Sequence, residues 1–86
     1  MKKILMFTMA GCPYCRKARA WMEELLEQNP AYGQCEIEIV DETVERERAD
    51  KYDYYYVPTY YVDGQKVHEG AATREIVQSV FEQALA

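Results

Sequence analysis

The 86 residues hold one histidine and three cysteines, and the cysteines form only one pair at Cys-x-x-Cys spacing. A structural metal site needs about four ligands, and beyond Cys12 and Cys15 the soft donors are Cys35 and His68 alone. A metal clip is therefore poorly supplied. An odd cysteine count, with two of the three in one short motif, also makes a poor disulfide framework and suits a reducing compartment. The chain has no internal repeat, low-complexity tract or Pro/Gly/Ser-rich linker. It is too short for more than one compact unit of ordinary size, so residues 1–86 read as a single domain. The first apolar run, Ile4 to Phe7, is too short for a signal peptide or a membrane span, and charge returns soon after Cys15. A cytoplasmic protein with no membrane partner is expected. Basic residues are in deficit, 10 against 15 acidic, and the net charge of −5 opposes approach to a phosphate backbone or an anionic bilayer. That speaks against nucleic acid as a partner.

What the chain does have is an apolar fraction of 49% and eight tyrosines, enough for a small core. Lys3 to Thr8 reads as a strand whose continuous apolar stretch belongs at the centre of a sheet covered on both faces. Ala18, Trp21, Met22, Leu25 and Leu26 recur at helical spacing after the cysteine pair, and Asn29-Pro30 closes that helix. Gln34 to Val40 alternates, with Cys35, Ile37 and Ile39 set against Glu36 and Glu38, which predicts a strand with one face buried. Thr43 is placed to cap a second helix running to about Asp53, with Glu42/Arg46 and Glu47/Lys51 at i,i+4 spacing. Thr59 to Val62, the Asp63-Gly64 turn and Gln65 to His68 give a hairpin, and a last helix starts near Thr73. A strand, helix, strand opening implies a parallel crossover, and the whole order implies a four-stranded α/β layer.

The cysteine pair carries the chemistry. A thiolate, not a thiol, attacks a disulfide. Cys12 falls at the start of the first helix, where unpaired N–H groups and the positive end of the dipole favour negative charge on its sulfur. Pro13 fits the first turn, where a missing N–H costs nothing. Cys15, three residues on, shares the helical face of Cys12 and is placed to resolve a mixed disulfide. Arg16, Lys17 and Arg19 add positive potential. Cys35 reads as a small core residue and His68 as an edge-strand residue rather than a base. Tyr54, Tyr55 and Tyr56 suit either a binding groove or plain rim packing.

An element order of this kind, with Cys-x-x-Cys opening the first helix, resembles the thioredoxin-like superfamily. Within it, Cys12-Pro13-Tyr14-Cys15 resembles the active site of dithiol glutaredoxins, Val57-Pro58-Thr59 is similar to the family's proline segment, and Asp63-Gly64 to its turn. The resemblance implies a thioredoxin-like α/β fold, a four-stranded mixed sheet flanked by three helices, in a monomer. It implies a glutathione-dependent thiol–disulfide oxidoreductase acting on protein disulfides and glutathione mixed disulfides, with Cys12 and Cys15 catalytic. No cofactor would be tightly bound; glutathione would be co-substrate, and disulfide-containing proteins and a reductase system the partners. Pro58 would be cis and lie beside the sulfurs, leaving the Val57 backbone to pair with substrate, while Tyr14, Gly70, Ala71 and Thr73 would complete the glutathione contacts. Iron–sulfur binding belongs mostly to members with a Cys-Gly-Phe-Ser site. Two departures stand out. Met9 occupies a place where dithiol glutaredoxins often carry a basic residue, and the Gly70-Ala71 step looks more like thioredoxins and small archaeal-type relatives. The alternative is therefore a thioredoxin-type electron donor, reduced by a flavoprotein reductase without glutathione.

Overall fold

Ile4, Leu5, Met6 and Phe7 are all buried, as their uninterrupted apolar run requires, in the first strand of the computed structural model, which describes residues 2–86. That strand, β1 (Lys3–Thr8), sits inside a four-stranded sheet with β2 (Glu36–Asp41) on one side and β3 (Thr59–Val62) on the other; β4 (Gln65–Glu69) forms the far edge. β1 runs parallel to β2, pairing Lys3 with Glu36, and antiparallel to β3, pairing Ile4 with Val62. β3 and β4 form the expected hairpin, with an irregularity between Tyr60 and Tyr61. Asp63 (φ 48) and Gly64 (φ 84) both take the left-handed conformation at its turn, the geometry that favours an Asp-Gly pair.

Helix α1 (Pro13–Gln28) buries Cys15, Ala18, Met22 and Leu25 on one stripe. Asn29 ends it and starts the next element at once. Its backbone N–H donates to the Leu25 carbonyl at 2.9 Å, and its side chain accepts from the Ala31 N–H at 3.2 Å. Pro30 then opens a 3₁₀ turn, Pro30–Gln34, that was not expected from the sequence. Helix α3 (Arg74–Leu85) begins where Thr73 caps it, its hydroxyl accepting from the Ile76 N–H at 3.2 Å. Both long helices cover one face of the sheet, burying Ile4, Met6, Tyr60 and Val62 against Val77, Val80 and Phe81. Tyr32 of the 3₁₀ turn stacks on Phe81 with ring centroids 4.8 Å apart.

The opposite face is smaller and aromatic. Leu5, Phe7, Val40 and Tyr61 pack there with Ala49 and the half-buried Tyr52 and Tyr54. Two expectations fail, the first on this face and the second on the face of Ile4 and Met6. The second helix, α2, is a single turn, Arg46–Ala49, and Thr43 does not cap it. Asp41 captures Thr43 instead, accepting from its N–H at 2.8 Å and its hydroxyl at 2.5 Å, which turns the chain before a helix can start. Ile39, expected to be buried, is 42% exposed, because β2 is an edge strand and cover is incomplete there. Gln34 and Cys35 precede β2 rather than belonging to it.

The charged pairs foreseen at i,i+4 spacing also give way to longer-range ones. Glu38 accepts a two-pronged contact from Arg48 (2.5 and 2.7 Å) and an ion pair from Lys3 at 2.7 Å. Hydrogen bonds from Arg48 and Lys3 pull its carboxyl down to about 2. The folded-state value lies below the ordinary one of about 4.3, so folding with Glu38 ionised is favoured. That contribution is complete above about pH 4.3 and disappears as pH falls through about 2. Glu38→Gln should therefore weaken the decline of the urea midpoint between about pH 5 and pH 2. Parallel declines in the two proteins would show that the cluster contributes nothing to the pH dependence.

No helix among the described residues is long and apolar enough to cross a membrane.

Candidate active site

Cys12 is the N-cap of α1, and the chain reaches it through a turn that requires glycine. The Cys12 N–H donates to the Met9 carbonyl at 3.2 Å, and Gly11 takes φ 82 at the third position. Nothing lies within 4 Å of where a Gly11 Cβ would be, so the backbone conformation, not crowding, sets the requirement. Pro13 follows as the first helical residue.

This geometry aims the start of the helix at one sulfur. The Cys15 N–H donates to Cys12 Sγ at 3.3 Å, so an otherwise unpaired helical donor stabilises negative charge on that atom. Both cysteines are free thiols and hydrogen-bonding neighbours. Their surroundings differ. Cys12 is 7% exposed and Cys15 2%, so Cys12 is the more accessible of the two. Burial, reinforced by the neighbouring Cys12, pushes the Cys15 thiol up, while the Thr8 hydroxyl and the Met9 backbone act against that rise. The start of the helix is thus aimed at the more accessible sulfur, while burial raises the thiol of the other.

The Val57–Pro58 peptide is cis, as the resemblance implied. Pro58 is buried, and the Cys12 thiol points at the Val57 carbonyl, with 4.0 Å from Sγ to oxygen. Gly70 closes the same corner: its N–H donates to the Pro58 carbonyl at 2.9 Å, and Tyr56 Cβ lies 4.0 Å from where a Gly70 Cβ would be. Gly70 itself takes φ 94. The structure therefore brings Cys12, Cys15, Val57, Pro58 and Gly70 together. Tyr14, between the cysteines, is 58% exposed and Met9 is 38% exposed. Ala71 is exposed; its carbonyl and that of Gly70 both accept from His68 Nε2 at 3.0 Å, which assigns the proton to that nitrogen. Thr73 spends its hydroxyl on capping α3. Cys35 is buried in the main core, pushed up by its burial, and stands apart from the pair. Among the described residues no group of three or more His, Cys, Asp or Glu is arranged to hold a metal ion.

Three residues of this region escape the sequence reading. Thr8 ends β1 buried beside Cys15, and a threonine closing an apolar strand four residues before the first cysteine was the available signal. Tyr60 is fully buried and donates to Met22 Sδ at 3.2 Å; burial pushes its phenol up, with the nearby Cys15 adding to the effect. Glu69 binds the backbone of the tyrosine run, and nothing local in the sequence announces that.

A dithiol at the head of α1, set against a buried proline at the start of β3 on this sheet, defines a protein of the thioredoxin-like fold. The chain belongs to the thioredoxin domain family, whose model matches residues 2–82. A thioredoxin of Methanocaldococcus jannaschii is 29% identical over 83 residues, covering 96% of this chain and 95% of its own length. Two solved thioredoxins share the fold. That of Plasmodium falciparum, in its oxidised form, superposes with a TM-score of 0.76 at 22% identity, covering 99% of this chain and 82% of its own. That of Fasciola hepatica does so with a TM-score of 0.73 at 23% identity, covering 96% and 80%. The family match favours the thioredoxin alternative, already indicated by Gly70-Ala71, over the glutaredoxin reading drawn from the tetrapeptide.

Proposed function

We propose that this protein is a thiol–disulfide oxidoreductase of the thioredoxin type, which reduces disulfides of other proteins through Cys12 and Cys15. The observation that carries the reading is the asymmetry of the pair. A helix N–H is aimed at the more accessible sulfur, while burial holds the proton on the other. The Cys12 thiolate attacks one sulfur of the substrate disulfide, forming a Cys12–substrate bond and releasing the first substrate thiolate, which takes a proton. Cys15 then gives up its proton and attacks Cys12 Sγ. The mixed disulfide breaks, the second substrate thiol leaves, and a Cys12–Cys15 disulfide remains. The protein has lost two electrons and the substrate has gained them. A reductase must restore the dithiol.

The surroundings suit a protein substrate. Met9, Tyr14 and Tyr56 expose apolar surface around the pair, and the Val57 backbone offers an edge to which an extended peptide can add as a strand. The dithiol lines neither the groove along Val44–Arg48 and Lys51 nor the concavity near Lys2, Val62 and Gln83.

The glutathione-dependent reading rests on the tetrapeptide Cys12-Pro13-Tyr14-Cys15. One experiment separates the two electron sources. With thioredoxin reductase and NADPH, the protein is expected to turn over a protein disulfide; with glutathione, glutathione reductase and NADPH, turnover should be slower, since Met9 supplies no charge for a glutathione carboxylate. Faster turnover in the glutathione-coupled assay would return the protein to the glutaredoxin class.

A further inference from the structure

The segment from Asp53 to Val57 has no regular secondary structure, yet it must present the Val57 carbonyl to Cys12. Packing does not hold its middle, because Tyr55 is 88% exposed and Tyr56 70%. Two side chains do: the Thr59 hydroxyl donates to the Tyr56 carbonyl, and one carboxylate takes both amides. Glu69 Oε2 accepts from the Tyr55 N–H at 2.6 Å and from the Tyr56 N–H at 3.0 Å. Its other oxygen, Oε1, accepts from Lys66 Nζ at 2.7 Å, and the same ammonium donates to the Asp53 carbonyl at 3.0 Å. From β4, Lys66 thus holds the start of the segment, together with the Tyr61 hydroxyl that donates to the same Asp53 carbonyl at 2.9 Å, and Glu69 holds its middle. Glu69 is itself fixed, since it pairs with Thr59 in the β3–β4 ladder. Hydrogen bonds from Lys66, Tyr55 and Tyr56 hold its carboxyl at about 2, so the acceptor stays charged.

We infer that Glu69 is a positioning residue for substrate docking, fixing through the Tyr55 and Tyr56 amides the backbone edge that meets the disulfide at Cys12. The inference rests on the proposed dithiol chemistry but concerns a residue outside it. Losing a carboxylate that two backbone N–H groups share removes charge-assisted bonds from a stretch whose own side chains, Tyr55 and Tyr56, are exposed and pack on nothing that would replace them. The segment should then sample several positions, and each docking event must order it again.

The test compares Glu69→Ala and Glu69→Gln with wild type on two substrates. Insulin must lie along the Val57 backbone; the small aromatic disulfide 5,5′-dithiobis(2-nitrobenzoate) need not. For Glu69→Ala, KM for insulin should rise about fivefold relative to KM for the small disulfide, with kcat for insulin within about twofold of wild type. Glu69→Gln, whose amide oxygen still accepts, should recover part of the difference. Amide hydrogen exchange supplies a readout that does not depend on turnover: Tyr55 and Tyr56 should be protected in wild type and lose protection in Glu69→Ala. Unchanged protection, or an equal change of KM on both substrates, overturns the inference while leaving the dithiol reading intact. Absence of Cys12-dependent turnover in the wild-type chain overturns the dithiol reading, and the docking role with it, whatever the exchange data show.

Discussion

Cys12→Ser is expected to abolish reduction of protein disulfides, to below about a thousandth of the wild-type rate, and Cys15→Ser to stall one step later. A serine hydroxyl is not ionised near neutral pH, so the helix N–H aimed at Cys12 Sγ would have no thiolate to stabilise, and no attacking group would remain. In Cys15→Ser the attack still occurs, because the accessible sulfur keeps its place at the N-cap. What is missing is the second thiol, so the substrate stays bonded to Cys12. The two variants therefore differ in what accumulates. Mass spectrometry under non-reducing conditions should find a Cys12–substrate adduct in Cys15→Ser and none in Cys12→Ser, and dithiothreitol should release it. An adduct on Cys15 in Cys12→Ser, formed as fast as the one expected on Cys12, would reverse the assignment. Reactivity should also follow pH differently at the two positions. Burial pushes the Cys15 thiol up, so alkylation of Cys15 in the Cys12→Ser protein should increase at higher pH than alkylation of an unhindered cysteine.

Much of this arrangement could be read from the sequence, because local rules and the fold agree there. β1 spans Lys3–Thr8 as its apolar run predicted, and Pro13 and Asn29 bracket α1 through a first-turn proline and a residue that caps in both directions. Thr73 caps α3, and Asp63-Gly64 makes the hairpin turn. The cysteine pair was legible for the same reason, whereas the proline segment was recognisable through its resemblance to a known family, because its partners Cys12 and Gly70 are distant in sequence.

What could not be read depends on partners distant in sequence. The charges of residues 42–51 suggest a helix with internal pairs, but Arg48 is drawn to Glu38 across β2 and Asp41 takes Thr43, so only one turn forms. Ile39 fits an alternating buried strand until the sheet order places β2 at an edge. Glu69 lies 13 and 14 residues from the amides it binds, and in sequence it is only an acidic residue ending a strand. The tetrapeptide misled in the opposite sense. It is short and local, and it pointed to glutaredoxins, whereas the match over residues 2–82 points to thioredoxins.

Phe7→Ala is expected to cost about 3–5 kcal/mol, the usual range for truncating a buried aromatic. Phe7 is fully buried at the centre of the smaller core. Its ring stacks on Tyr54 at 4.8 Å, tilts against Tyr52 at 4.9 Å and meets Tyr61 edge-on at 5.9 Å, while Tyr52 and Tyr61 lie 4.9 Å apart. Removing it leaves three rings facing a void, and this face has no long helix that could settle into the space, since α2 is one turn. At about 0.05–0.15 kcal/mol per residue, a chain of this length has roughly 4–13 kcal/mol in all. The substitution thus removes a large fraction of the total. Thermal denaturation followed by circular dichroism should show Tm falling by at least about 12 °C, at about 4 °C or more per kcal/mol for a domain of this size. Phe81→Ala, which leaves Tyr32 without its stacking partner on the other face, should cost a similar amount, but α1 and α3 can close part of that gap. Phe7 has a second consequence, because the Tyr54 ring stacked on it anchors the start of the segment that Glu69 grips further along. In Phe7→Ala, protection of the Tyr55 and Tyr56 amides should therefore fall further than global destabilisation alone explains, whereas in Phe81→Ala it should fall only in step with stability. A Tm within about 3 °C of wild type for Phe7→Ala would mean that the aromatic face contributes little to the fold.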